Sequence, residues 1–206
     1  MNAEPAIDLV IWDIGNVLVR WDVRALYRTI FADTDEMERF LAEVWTDERN
    51  ARCDRGEPYA TVIAEAVAEF PHYSDAIHAA FDRWIETIPG EVPGSLELLR
   101  DVKATGAAMW ALSNFSPETF PMIDGRYPHF DELDGMVLSG HVGVAKPEPE
   151  IYRMVLDRAG VPAERAVFFD DSITNVEGAR NVGITAFHFT DAEAARHDLR
   201  RSGLEV

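Results

Sequence analysis

Five short apolar runs, each broken by polar or glycine positions, constrain this chain more than any other feature. They are 7–13, 107–113, 136–138, 166–170 and 184–189. Runs of this length without strict polar alternation read as strands buried on both faces. Helical patterns separate them: one follows Pro93 and stops near Gly106, a second spans 150–160, and a third spans 173–183. Each closes on a glycine, the residue that most readily ends a helix. Strands alternating with helices predict an α/β fold, a doubly wound and mainly parallel sheet with right-handed crossovers. Ligands in such sheets bind at the carboxyl ends of strands. Asp13, Ser113 and the Asp170-Asp171 pair all fall at those ends. Two neighbouring carboxylates closing an apolar strand repel each other, which favours either a bound cation or a raised pKa.

Residues 20–88 interrupt the alternation. Only helical periodicities occur there, over 23–31, 35–45, 59–70 and 74–88, with amphipathic spacing such as Met37, Phe40, Leu41, Val44 and Trp45. Such a segment cannot join the sheet. It is either an inserted helical unit or an extra helical layer against the sheet, and Pro89-Gly90 and Pro93-Gly94 mark the return.

Charge narrows the partners. The 206 residues carry 19 basic and 37 acidic side chains, a net charge of −18. Nucleic acid and anionic membrane both require positive surface, so neither is expected as a partner. An anionic substrate would need local positive groups or a divalent cation to overcome the general repulsion. The lone Cys53 has no partner for an intramolecular disulfide, and a reducing cytoplasm is the expected compartment. No apolar stretch approaches the ~20 residues that span a bilayer. No basic region precedes the first apolar run, so no signal peptide is expected. Oligomeric state is not legible.

Four segments in order, over about 160 residues, carry a family likeness. They are Asp13-Ile14-Gly15-Asn16-Val17, Leu112-Ser113-Asn114, Val144-Ala145-Lys146-Pro147 and Phe168-Phe169-Asp170-Asp171-Ser172. The layout resembles the haloacid dehalogenase (HAD) superfamily, whose members are mostly Mg²⁺-dependent phosphatases working through an aspartyl-phosphate. The resemblance implies a HAD-like Rossmannoid core of residues 1–19 and 89–206 with an all-helical cap domain at 20–88. Asp13 then becomes the nucleophile, since a carboxylate at a strand end can attack phosphorus in line. Ser113 and the backbone N–H of Asn114 would hold phosphoryl oxygens. Lys146 would offset the charge of the nucleophile and the transferring group. Asp13, the Gly15 carbonyl and Asp171 would ligate Mg²⁺, a hard cation that prefers oxygen donors, with Asp170 assisting from behind. Asn175 either orients one of these carboxylates or faces solvent.

One departure matters. The family's phosphatases usually place a second aspartate two residues after the nucleophile to protonate the leaving group, and Gly15 stands there. Branches reading Asp-Leu-Gly-Asn-Val, including sugar-phosphate (glucose 1-phosphate) phosphatases, share this feature. The general acid/base is therefore open: a water, a cap residue or a good leaving group would serve. Arg20 and Trp21 are the first candidates for substrate contacts, followed by Arg24, Trp45 and Arg52. The six histidines are scattered, with no metal-ligand spacing. The expected activity is hydrolysis of a small phosphorylated metabolite. A metal-independent 2-haloacid dehalogenase and a non-catalytic phosphometabolite-binding protein are the alternatives. The acidic pair weighs against the first, and retention of Asp13 and Lys146 against the second.

Overall fold

A computed structural model describes residues 7–206; residues 1–6, which begin the expected core segment and its N-terminal reading, lie outside the described residues. The main sheet holds β1 (Leu9–Trp12), β4 (Ala108–Ser113), β5 (Gly135–Leu138), β6 (Ala166–Asp170) and β7 (Thr185–His188). Their order is β5-β4-β1-β6-β7, and every pairing is parallel. Two-residue strands β2 (Val19–Arg20) and β3 (Gly90–Glu91) form a small antiparallel ribbon where the chain leaves and rejoins the core.

Period-two alternation splits the central strands between two layers. Val10 and Trp12 of β1 face α6 (Ser95–Thr105) and α10 (Ala192–Arg201) through Leu98, Leu99, Val102 and Leu199. Leu9 and Ile11 face α8 (Pro149–Ala159) and α9 (Ile173–Asn181) through Ile151, Val155 and Val176. Each such fully buried side chain contributes roughly 1.5–3 kcal/mol of transfer free energy. Trp12 also stacks on Phe169, ring centroids 5.0 Å apart. Chain order moves from β1 outward through β4 to β5, then returns to the other side of β1 with β6. The reversal lies between β1 and β6, and Asp13 and Asp170 stand there.

Residues 23–88 contain only helices: α1 (Val23–Tyr27), α2 (Thr34–Glu43), α3 (Asp47–Asp54), α4 (Tyr59–Glu69), α5 (Ser74–Asp82) and 3-10 turns at Pro71–Tyr73 and Trp84–Thr87. Their interior, with Tyr27, Phe40, Trp45, Tyr59 and Ile77, is continuous with Ile14, Phe115 and Leu138 at the carboxyl end of the sheet. The insert thus lies over the ends of β1 and β4. Three helical expectations ran long: 23–31 stops at Tyr27, 35–45 at Glu43, and 74–88 breaks after Asp82 into the 3-10 turn.

Helix α3 has no counterpart among the expected elements, because its sequence DERNARCD buries only Cys53 and shows no apolar stripe. Its start is set by polar chemistry instead. Thr46 accepts a hydrogen bond from the Arg49 N–H, and Asp47 and Glu48 occupy the first turn. Also outside the expected pattern are α10 and the short α7 (Ser139–Val142) after β5.

Candidate active site

Beyond Trp12 the chain turns sharply. The Asp13 carboxylate accepts the Ile14 N–H at 2.7 Å, and the Leu18 and Val19 N–H groups both return to the Ile14 carbonyl at 3.0 Å. Asn16 sits in the left-handed region (φ 56°), which asparagine tolerates better than most residues. Its side chain ties two parts of the site together. The amide nitrogen donates to Asp171 at 3.0 Å, and the amide oxygen accepts the Trp21 N–H at 3.0 Å. Gly15 beside it has room: an added Cβ would meet only the Trp21 Cβ, at 3.8 Å. Packing therefore does not force the missing carboxylate.

Lys146 reaches Asp13 from the loop before α8. Its ammonium lies 2.8 Å from Asp13 and 2.6 Å from Asp170, with all three side chains withdrawn from solvent. Asn114 sets this lysine in place through a two-bond ring: the Asn114 amide oxygen accepts the Lys146 N–H at 2.8 Å, and its amide nitrogen donates to the Lys146 carbonyl at 3.0 Å. The Asn114 side chain is thus engaged with the lysine backbone, an arrangement that the short Ser-Asn motif does not reveal. Burial would lower the lysine pKa, but the two carboxylates outweigh it and hold the ammonium above its ordinary value. Burial pushes the Asp13 carboxyl up; the adjacent ammonium opposes the rise, and Asp170 adds to it.

The two adjacent acids differ. Asp170 is fully buried and heavily hydrogen-bonded, accepting from Lys146, the Ser172 N–H (2.8 Å) and Asn175 (3.0 Å). Asp171 is exposed, and of its carboxylate only one oxygen takes the Asn16 hydrogen bond. Ligand oxygens of Asp13, Asp170 and Asp171 all lie within 4.8 Å of one another. Three carboxylates face one ammonium, and these hard oxygen donors fit a divalent cation such as Mg²⁺.

A cavity of about 220 Å³ opens over this cluster. Asp13, Gly15, Ser113, Asn114, Lys146 and Asp171 form its floor, and Asn175 also reaches it. Trp21, Trp84, Ile88 and Phe115 build an apolar side wall. Of the five insert residues singled out from sequence, only Trp21 lines the cavity. Arg20 is exposed outside it. Arg24 pairs with Glu38, and Arg52 with Glu57 and Glu65, so nearby acids hold both cations. Trp45 is buried against Tyr59. No histidine lines this cavity.

Asp54 does line it, and the sequence did not single it out. It is the last residue of α3, where its carboxylate accepts from Asn50 at 2.9 Å and from the Ser116 N–H. Burial pushes its carboxyl up to about 7 against the lowering effect of the Ser116 N–H, and the negative charge of Asp13 adds to the rise. The end of α3 is pinned to the core by close backbone contact. The Ser139 hydroxyl donates to the Asp54 carbonyl while accepting the Phe115 N–H, and Arg55 pairs with Glu148 at 2.6 Å. Gly56 and Gly140 meet so tightly that a Cβ on Gly56 would lie 2.6 Å from the Gly140 carbonyl oxygen. The only local clue to this placement is the Thr46-Asp47-Glu48 helix start.

Comparison with known proteins agrees with this architecture. The family model of haloacid dehalogenase-like hydrolases matches residues 7–183. A phosphorylated carbohydrates phosphatase of Thermotoga maritima is 28% identical over 184 residues, covering 86% of this chain and 82% of that protein. A sesquiterpene phosphatase of Aspergillus oryzae is 33% identical over 104 residues, 50% of this chain and 53% of its own length. This chain thus spans about half the length of that second relative. Among solved structures, the magnesium complex of a HAD family enzyme from Bacteroides thetaiotaomicron superposes with a TM-score of 0.75 at 20% identity, covering 95% of this chain and 99% of that one. The family match across most of the chain, on a parallel sheet whose strand ends gather Asp13, Ser113, Lys146 and the acidic pair, makes this protein a member of the haloacid dehalogenase-like hydrolases.

Proposed function

We propose that this hydrolase is a Mg²⁺-dependent phosphatase of small phosphorylated metabolites, acting through an aspartyl-phosphate on Asp13. The observation that carries the reading is the buried Asp13–Lys146–Asp170 cluster at the floor of a cavity, with Asp171 open beside it. Asp13, the Gly15 carbonyl and Asp171 would hold the cation, with Asp170 fixing the lysine behind them. When bound, the cation supplies positive charge to the phosphoryl oxygens. Lys146 neutralises charge on the nucleophile side, and the Ser113 hydroxyl and Asn114 N–H receive phosphoryl oxygens as charge develops. Residues 20–88 act as the cap, and 1–19 with 89–206 as the catalytic core. The free, buried Cys53 fits a reducing cytoplasm. Among the described residues no helix is long and apolar enough to cross a membrane.

Sugar phosphates are the first substrates to test, in keeping with the Thermotoga relative. The apolar wall of Trp21, Trp84, Ile88 and Phe115 favours a second class, phosphate esters of apolar alcohols, the class suggested by the Aspergillus phosphatase. Phosphate release should be measured from glucose 1-phosphate, glucose 6-phosphate, farnesyl phosphate and p-nitrophenyl phosphate, with Mg²⁺ and with EDTA. Release that requires Mg²⁺ and disappears in Asp13→Asn is expected. No release from any ester refutes the phosphatase reading, and 2-chloropropionate dehalogenation would replace it.

A further inference from the structure

Gly15 leaves the phosphatase chemistry without a proton donor on the core side, and the cavity offers one from the helical insert. Four ionisable groups line it: Asp13, Asp54, Lys146 and Asp171. Asp13 and Lys146 are bound in one buried ion pair. Asp171 belongs to the carboxylate cluster and is tied to Asn16. The remaining polar lining residues are amides and the Ser113 hydroxyl, none of which exchanges a proton near neutral pH. Among the described residues Asp54 makes no ion pair, stands outside the carboxylate cluster, and comes from the helical insert.

We infer that Asp54 is the general acid/base of this hydrolase, replacing from the insert the carboxylate that position 15 lacks. The inference rests on the phosphatase reading above. In the first step an Asp13 oxygen bonds to phosphorus and the bond from phosphorus to the ester oxygen breaks. The ester oxygen keeps that electron pair and takes the Asp54 proton, leaving as the alcohol. In the second step the Asp54 carboxylate removes a proton from water, whose oxygen bonds to phosphorus. The bond to Asp13 breaks with its electrons returning to the carboxylate, so phosphate leaves and Asp54 is again protonated. Ester plus water gives alcohol plus phosphate, with no other reactant. A carboxyl raised to about 7 is poised to serve in both directions at neutral pH. Asp13, Lys146 and Asp171 share the cavity with it, Asp13 acts on it electrostatically, and Cys53 and Tyr59 lie within its field inside the insert.

Leaving groups separate this role from a structural one. p-Nitrophenolate departs without a proton, whereas an alkoxide does not. With Asp54→Asn, rapid mixing with p-nitrophenyl phosphate is expected to show one equivalent of p-nitrophenol per enzyme at near wild-type rate. Turnover then slows about 10²–10⁴-fold, the usual worth of a general acid/base. The best alkyl phosphate of the panel should be slowed from the first turnover by a similar factor, and Asp54→Glu should recover part of the loss. Steady-state rates within threefold of wild type on the alkyl ester overturn the assignment, as does equal loss on both esters without a burst.

Wild-type enzyme gives a readout that needs no variant to fold. Its kcat/KM for the alkyl ester should fall as pH rises through about 7, relative to that for p-nitrophenyl phosphate, because only the alkyl ester requires protonated Asp54. Superimposable profiles overturn the assignment. The two readings fail separately: Mg²⁺-dependent release lost in Asp13→Asn upholds the phosphatase whatever Asp54 does.

Discussion

Replacing Lys146 with methionine tests whether the buried ion cluster is organised as described. The ammonium sits 2.8 Å from Asp13 and 2.6 Å from Asp170 and is almost completely buried, so the substitution leaves two largely buried carboxylates without their cation. Breaking a buried pair by removing one partner costs about 3–5 kcal/mol. At about 2–4 °C per kcal/mol for a chain of this size, the melting temperature should fall by roughly 6–20 °C. The loss should depend on pH in a definite sense. Lys146 is held above its ordinary 10.5, so the ammonium itself stays charged between pH 5 and pH 8, and the change over that range comes from the carboxyls it pairs with. In the variant Asp13, already raised by burial, loses the cation that opposed the rise.

A carboxyl raised in the folded state costs stability as pH climbs from its unfolded value of 3.8 toward its folded value. Wild-type Asp13 already titrates at about 7, so the deficit should be smaller at pH 5 than at pH 8 and should keep growing as pH rises above about 7. Thermal and urea unfolding at the two pH values, both in EDTA, measure it. Lys146→Met/Asp170→Asn, which removes one stranded charge, should recover part of the deficit at pH 8. A deficit below about 1 kcal/mol at pH 8, or one equal at both pH values, would refute the reasoning.

Three further outcomes follow from the same geometry. Asp54→Asn should stabilise the protein increasingly from pH 4 to pH 8, because a carboxyl pushed from 3.8 to about 7 loses folding free energy over that interval. The gain at pH 8 is at most roughly 4 kcal/mol, measured by urea unfolding, and a destabilised variant at pH 8 would contradict it. Gly140→Ala would place a Cβ 2.3 Å from the Pro117 ring and 2.8 Å from the Phe115 carbonyl oxygen; a loss of about 1–3 kcal/mol is expected by thermal melting, with reduced turnover because the adjoining Ser139 anchors Asp54. Gly15→Ala meets nothing closer than 3.8 Å and needs no left-handed backbone, so it should stabilise by about 0.4–1 kcal/mol through the unfolded chain. Destabilisation by Gly15→Ala would show that the turn after β1 tolerates no side chain.

Much of the core was legible because its signals are local. The runs at 7–13, 107–113 and 166–170 carry enough contiguous apolar residues to be strands wherever they lie, and Asp13, Ser113 and Asp170 close them. A parallel sheet then brings those residues to one edge, since every strand points the same way. By contrast α3 is polar almost throughout, and no periodicity marks its buried side. The roles of Asn16 and Asn114 are also invisible in sequence. Each makes its bonds to residues brought close only by folding, Asp171 in one case and the Lys146 backbone in the other.

The sequence by itself determined an α/β core, the strand ends at which Asp13, Ser113 and Asp170 stand, and the absence of a carboxylate at position 15. Strand order, the commitment of Asn114 to the lysine, and the arrival of Asp54 over the floor were decided by tertiary structure. The physical reason is range: strand and helix signals arise between residues a few positions apart, whereas Asp54 faces the cavity because Ser139, Gly140 and Glu148 hold the end of α3 from far along the chain.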